Sequence, residues 1–404
     1  MNFIEGGVTA AKGFSASGIY CGIRKNKSKS DLALIFSSVP CSAAAVYTQN
    51  LVKGAPIQVT RRNIENGIAQ AVICNSGNAN TCNADGEQKA QMMCEAAAKE
   101  LGIQPSDVIV ASTGVIGQVL PIEPILNSAN KLVKALSPDG SAEAAKAIMT
   151  TDTEVKNLAV ELTAGGETVH IGGIAKGSGM IHPNMATMLC FLTTDAAISP
   201  KTLDAALREA VNVSFNMVSV DGDTSTNDMT SILASGLAGN REIEQGTADY
   251  KLFTAALTEL STALARKVAK DGEGATKLLV CKVTGAKTDD DARLAAKGVI
   301  CSSLLKAAMF GADANWGRVL CAIGYSKADT DINAVNVTFE SKAGSIDVCK
   351  NGAGIDFDED KAKKILTQDE ININITLHDG TFDATAFGCD LTYDYVKING
   401  DYRT

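Results

Sequence analysis

Apolar residues recur at helical spacing in several stretches of this 404-residue chain. Phe253, Leu257, Leu260, Leu264 and Val268 form a stripe of period near 3.6 residues, which predicts a helix facing a core. Leu203, Leu207, Ala210 and Val211 make a second such face. Ser199 and Pro200 precede it as an N-cap hydroxyl and a proline at the first helical position. GEQKAQMMCEAAAKELG (86–102) and DARLAAKGVICSSLLKAAMFG (291–311) predict two further helices. Strand patterns lie between them. VIVASTGVIG (108–117) reads as a buried strand running into a glycine turn. TVHIGGIAKGSGMI (168–181) alternates at first and then loosens into glycines, and KLLVCKVTGA (277–286) returns to strand. The last part is strand-rich: INAVNVTFE, GSIDVCKNG, ININITLHDG and TFDATAFGCDL, with HDG (378–380) predicted as a hairpin turn. Helices and strands do not alternate regularly. That predicts an α/β fold of the α+β or layered kind and disfavours a doubly wound sheet.

Composition narrows the partners. The net charge of −9 and pI near 5.0 disfavour a nucleic-acid backbone or an anionic membrane, since both require basic patches. Small anionic substrates need only one or two placed cations. MNFIEGGVTAAKGF lacks the basic and apolar blocks of a secretory leader. No apolar run approaches the roughly 18 residues of a membrane helix. Eleven scattered cysteines without a C-x-x-C pair read as reduced thiols, and the expected compartment is the cytoplasm. Their spacing disfavours a structural zinc site.

Common catalytic motifs are missing. There is no G-x-x-x-x-G-K-[ST], no G-x-S-x-G, and GSGMIH (177–182) fails G-x-G-x-x-G at its last position. DGDTSTND (221–228) begins like a calcium loop, but the position that needs glutamate is Ile232, so a tight Asx-rich turn is expected. Only His170, His182 and His378 are available as imidazoles. One nucleophile needs none of them. Thr187 stands alone in the apolar run GMIHPNMATMLCF (179–191), directly after the small Ala186. A threonine at a new N-terminus carries its own base, because the α-amine has a pKa of about 7.7–8.0 and can take the hydroxyl proton. The chain would have to break between Ala186 and Thr187. A half-buried strand threonine is the plainer alternative.

The longer string decides between them. KGSGMIHPNMATML (176–189) resembles the self-cleavage motif of the ornithine acetyltransferases, the glutamate N-acetyltransferases of arginine biosynthesis. STGVIG (112–117), MTTDT (149–153), SVDGDTSTND (219–228), DGEGATK (271–277) and NGDYRT (399–404) resemble the same family in the same order. The resemblance implies a precursor cut into an α chain, 1–186, and a β chain, 187–404. Within the β chain, about 281–404 would form a smaller strand-rich domain. Thr187 would take acetyl from N-acetylornithine as an ester and pass it to glutamate, with no cofactor and no metal. Some members also accept acetyl from acetyl-CoA, and both options stay open here. The implied fold is a layered α/β/β/α sandwich like that of the N-terminal-nucleophile hydrolases, and the implied assembly is α2β2.

The resemblance also assigns roles. Thr113 and Gly114 match the oxyanion-hole pair, donating a hydroxyl and an N–H to the tetrahedral intermediate. Lys176 matches a partner for the substrate carboxylate, and Glu273, in a Gly-Glu-Gly turn, matches a partner for its amino group. Thr153, Asn399 and Thr404 match the remaining substrate contacts. Gly400 departs from the family, where alanine is expected, and loosens the placement of Asn399. Two rivals remain. One is a self-processed amidase or aminopeptidase of the related fold, and the other is a binding protein that never cleaves.

Overall fold

The structure is a computed structural model that describes residues 1–182 and 188–401. In chain order the first half runs β1 (Asn2–Ile4), β2 (Phe14–Ile19), β3 (Leu32–Tyr47), α1 (Ala55–Asn63), β4 (Ile68–Asn75), α2 (Gly86–Leu101), β5 (Val108–Ser112), α3 (Glu123–Lys134), α4 (Ser141–Ile148), β6 (Lys156–Ala164), β7 (Glu167–Lys176) and β8 (Leu189–Thr194). Then come α5 (Pro200–Val213), β9 (Val218–Ser219), β10 (Met229–Ala234), α6 (Ala248–Lys270), β11 (Leu278–Ala286), α7 (Asp289–Cys301), α8 (Ser303–Phe310) and α9 (Trp316–Tyr325). The chain ends with β12 (Asn336–Ser341), β13 (Gly344–Lys350), β14 (Ala353–Gly354), α10 (Glu359–Leu366), β15 (Glu370–Thr376), β16 (Phe382–Cys389) and α11 (Tyr393–Asp401). This is the mixed α/β class the sequence predicts. Two compact units form: 1–177 with 183–216 and 224–264, and 178–182 with 217–223 and 265–404.

The first unit holds a nine-stranded sheet in the order β1-β6-β7-β8-β10-β3-β4-β5, with β2 also on β3. The sixteen-residue β3 explains its layering. Its first half pairs with β2 and β4, its second half pairs with β10, and the register shifts between Phe36 and Cys41. The sheet therefore folds over on one strand. Ala33, Ile35, Val72, Cys74 and Ile109 from one half share a core with Ile174, Leu189, Phe191, Met229 and Leu233 from the other. The opposite face of the first half packs under α2 and α3, through Leu34, Ile73 and Val110 against Met93, Cys94, Ala97 and Ile125. α6 lies on the outer face of the second half, where a Cβ on Gly173 would meet Leu264 at 2.9 Å and Leu192 at 2.6 Å. The layers are thus helix, sheet, sheet, helix.

The periodic stripes behave as predicted. Phe253, Leu257, Leu260, Leu264 and Val268 are all fully buried. Each such side chain contributes roughly 1.5–3 kcal/mol relative to exposure. The Ser199 hydroxyl accepts from the Thr202 amide and Pro200 starts α5, as the cap pattern requires.

The second unit carries a seven-stranded sheet, β14-β13-β12-β15-β11-β16-β9, with a core that includes Leu279, Cys281, Val299, Ile300, Phe339 and Ile373. Two expectations fail here. The stretch 291–311 is two helices, because Ser302 is extended (φ −68°, ψ 107°) and its hydroxyl caps the Leu305 amide at 3.3 Å. HDG is not a hairpin turn. β15 and β16 flank β11 on opposite sides, so His378–Gly380 carries the chain across the end of β11. There the Asp379 and Gly380 amides both donate to the Gly285 carbonyl, at 2.8 and 2.9 Å.

Candidate active site

Thr113 and Gly114 follow β5 directly and are held by the turn after β4. The Thr113 amide donates to the Asn75 carbonyl at 2.9 Å. The Asn75 side chain then organises both partners. Its Oδ1 accepts from the Gly77 and Asn78 amides, each at 3.2 Å, and its Nδ2 donates to the Ser112 hydroxyl at 2.6 Å. Asn227 Nδ2 donates to the carbonyls of Ser112 (3.0 Å) and Ala79 (2.5 Å), closing the far side. Gly114 sits at φ +128°, and a Cβ there would lie 2.8 Å from the Asn78 nitrogen. Only glycine fits this turn. The Thr113 hydroxyl and the Gly114 N–H make no hydrogen bond to any described residue. Two neighbouring donors are therefore left open on a backbone that is fixed by its neighbours.

Lys176 ends β7 and is only 7% exposed, not the solvated lysine its charge alone would suggest. Its ammonium acts on Asp152 and Asp228. Asp152 is buried too, and accepts from Lys156 Nζ at 2.8 Å and from the Gly177 amide at 2.8 Å. Burial pushes the Asp152 carboxyl up, but Lys176 and Lys156 outweigh it and hold the group well below the ordinary carboxylate range. Lys176 is thus a buried cation beside two buried acids, Asp152 and Asp228. That charge suits a substrate carboxylate. Thr153, next in sequence, is exposed.

Glu273 and Asn399 belong to the second unit and touch: Asn399 Nδ2 donates to Glu273 Oε2 at 2.8 Å and to the Tyr395 carbonyl at 3.0 Å. Asn399 lies in the last turn of α11, and Gly400 is an exposed residue of that same helix. Gly274, at φ +67°, places its missing Cβ 2.7 Å from the Tyr395 nitrogen, so the Gly-Glu-Gly turn and α11 approach backbone to backbone. The chain before the expected break is also anchored in this unit. The Met180 and Ile181 amides donate to Asp221 at 2.6 and 2.9 Å, and the Glu273 amide donates to the Ser178 carbonyl at 3.0 Å. DGDTSTND thus uses its first aspartate as an Asx clamp. Ala186, Thr187 and Thr404 lie outside the described residues.

Several neighbours escape a sequence reading. Asn75 and Asn227 look like ordinary loop amides. The Asp152–Lys156 pair has i,i+4 spacing, which is visible in TDTEVK, but its complete burial is not. His182 is a half-buried loop residue. Its Nδ1 lies 3.1 Å from the Ser219 hydroxyl and 3.4 Å from the Cys301 sulfur. Burial, aided by the Lys297 charge, pushes the His182 pKa down to about 4.

The first unit thus holds an open donor pair on a fixed turn and a buried cation, an arrangement compatible with an acyl-transfer enzyme. Sequence comparison gives the family. The profile of the ArgJ family matches residues 15–404. Three relatives named arginine biosynthesis bifunctional protein ArgJ are similar along almost the whole chain. That of Symbiobacterium thermophilum is 53% identical and covers 100% of both chains. That of Caldanaerobacter subterraneus subsp. tengcongensis is 49% identical, again over 100% of both. The Bacillus subtilis protein is 48% identical over 99% of this chain and 97% of its own. Among solved structures, Bacillus halodurans ArgJ is 43% identical, covers 52% of this chain and 97% of its own, and superposes with a TM-score of 0.49. The chain belongs to the ArgJ family and is an acetyltransferase of arginine biosynthesis.

Proposed function

We propose that the chain cuts itself between Ala186 and Thr187, and that the freed Thr187 shuttles acetyl from N2-acetyl-L-ornithine to L-glutamate. The amine of Thr187 takes the hydroxyl proton, and the oxygen attacks the acetyl carbon. The oxyanion meets the Thr113 hydroxyl and the Gly114 N–H. Ornithine leaves, and glutamate's amine attacks the acetyl ester to give N-acetylglutamate. Lys176 pairs with the substrate carboxylate. Glu273 and Asn399, with Thr153 and Thr404, make the other substrate contacts. The observation that carries this reading is the open donor pair at 113–114, because a turn built around glycine with both donors unspent serves a developing oxyanion. No cofactor enters the scheme. The same reading places the enzyme in the cytoplasm as an α2β2 assembly. Acetyl-CoA as a second acetyl source is a further part of it, in keeping with the bifunctional name of the relatives.

Denaturing mass spectrometry tests the first step: fragments of 186 and 218 residues are expected (404 − 186 = 218). Thr187→Ala should abolish both cleavage and transfer. Cleavage of that variant at 186/187 would overturn the mechanism, and a single intact wild-type chain would favour the non-catalytic rival. Free acetate in place of N-acetylglutamate would point to the hydrolase rival. Acetyl-CoA with glutamate, in the absence of acetylornithine, tests the second activity.

A further inference from the structure

Arg24 lies in the loop between β2 and β3, and the scheme above gives it no task. That loop is wound around one carboxylate. Asp31 is wholly buried and accepts from the amides of Cys21 (2.6 Å), Gly22 (3.3 Å) and Arg24 (3.0 Å). The Tyr20 hydroxyl donates to the Arg24 carbonyl at 3.0 Å. A charged acceptor makes strong hydrogen bonds, so the Arg24 backbone is fixed and its half-buried guanidinium is delivered to one place. Its Nε donates to the Ser76 carbonyl at 2.8 Å, and its Nη2 donates to the carbonyls of Ser76 and Met149.

Those carbonyls belong to the supports of the donor turn. Two consecutive peptide planes follow β4. In the first, the Asn75 carbonyl takes the Thr113 amide, while the Ser76 amide donates to the Asp31 carbonyl at 3.0 Å. In the second, the Ser76 carbonyl takes Arg24, while the Gly77 amide donates to Asn75 Oδ1. The loop thus holds one end of each plane. Gly77 is caught between loop and turn: a Cβ on it would meet Ile23 Cγ2 at 2.3 Å, and a Cβ on Gly114 would lie 2.8 Å from the Gly77 carbonyl carbon. The second carbonyl, that of Met149, opens the MTTDT segment, where the Thr150 amide donates to Asp152 at 3.0 Å. All these groups lie in the first unit. We infer that Arg24 is a positioning residue of acetyl transfer: its guanidinium holds the peptide wall behind Gly114 and so sets where the Thr113 hydroxyl and the Gly114 N–H point. This rests on the donor-pair reading above. A planar guanidinium spans two carbonyls at fixed angles, which a point-like ammonium on a flexible stem does not. Donors serve an oxyanion only where they meet it, and a misplacement of about 1 Å can cost about 10²-fold in rate.

The test is steady-state kinetics with acetylornithine and glutamate, with the fraction of cut chain in each sample read by denaturing mass spectrometry. Arg24→Met keeps the stem and removes the fork. Per cut molecule it should lower kcat about tenfold or more, while KM for acetylornithine moves by less than about threefold. Arg24→Lys, which keeps the cation and can reach one carbonyl, should fall between Arg24→Met and wild type. In a Thr113→Ala background Arg24→Met should cost no more than about threefold in kcat, because groups that act as a unit do not add. A kcat for Arg24→Met within threefold of wild type overturns the proposal. So do equal changes in kcat and KM, or the full cost reappearing in the Thr113→Ala background, since a merely structural brace would give either. If Arg24→Met yields no folded, cut enzyme, Arg24→Lys is read for the same kcat-against-KM split and the same non-additivity, and their absence overturns it. Thr113→Ala with a wild-type kcat would instead overturn the donor-pair reading.

Discussion

The molecule holds its proposed substrate-binding groups in two opposite ways. In the first unit Lys176, Asp152 and Lys156 are buried together, with the Lys156 and Asp152 side chains wholly inaccessible. In the second, half-buried Glu273 meets exposed Asn399 on the last turn of a helix. Buried charges must be paired or they destabilise the fold, so the first device is bound up with stability. Exposed polar pairs cost the fold little, so the second is free to serve binding alone. Stability and recognition should therefore separate differently in the two units.

The largest expected effect tests the first half of that contrast. Lys156→Met strips one partner from Asp152 and should cost about 3–5 kcal/mol, the range for breaking a buried pair. The measurement is a fall in melting temperature, and a change below 1 kcal/mol would show the cluster to be well solvated. Next comes Gly114→Ala. The side chain has no room at φ +128°, so a strained backbone of about 1–3 kcal/mol is expected. A fall in kcat of about 10²–10³-fold should accompany it if the donor is displaced. Thr113→Ala should lower kcat with little change in KM if, as proposed, its hydroxyl serves only the oxyanion. Equal losses in both would reassign it to substrate contact.

Acid separates the units in another way. Asp152 has a depressed folded pKa, so its contribution is complete above the unfolded value of about 3.9 and is lost only as pH falls below it. His182 is depressed to about 4, so protonation is opposed in the folded state, and the second unit should weaken as pH falls from about 6.5 towards 4. Lys297 and Asp223 are the charged groups that face it. Chemical denaturation across that range should show the slope, and His182→Gln should remove it. The smallest effect falls on the exposed pair. Glu273→Gln should raise KM for the amino-acid substrates while stability moves by less than about 0.5 kcal/mol. A large loss of stability would make Glu273 structural.

What the sequence discloses follows the same division. Periodicity is a local property, so the α5 and α6 faces, the β5 strand and the glycine turn at 113–117 are all legible. The break at Ser302 was legible in principle, since a serine three residues before Leu305 is a cap, but the apolar run on either side hides it. The HDG turn fails for a different reason. A hairpin and a crossover use the same residues, and only the insertion of β11 between β15 and β16 distinguishes them. In the site, residue types and order name Thr113, Gly114, Lys176 and Glu273 through their motifs. Nothing local reveals that Asn75 braces the donor turn, or that Lys176 is buried beside two acids, because those facts belong to long-range packing.

The strand order carries one more consequence. β8 and β10 come from sequence after Ala186, yet they lie between β7 and β3, which come before it. A cut at that bond leaves two pieces woven through one sheet, and neither can depart without breaking two ladders. On that reading the uncut chain folds as a single molecule, at a rate independent of concentration. The cut form, once unfolded, must find its other piece by diffusion. Cleavage would thus turn a reversible fold into one held by its history, with refolding yields that fall on dilution.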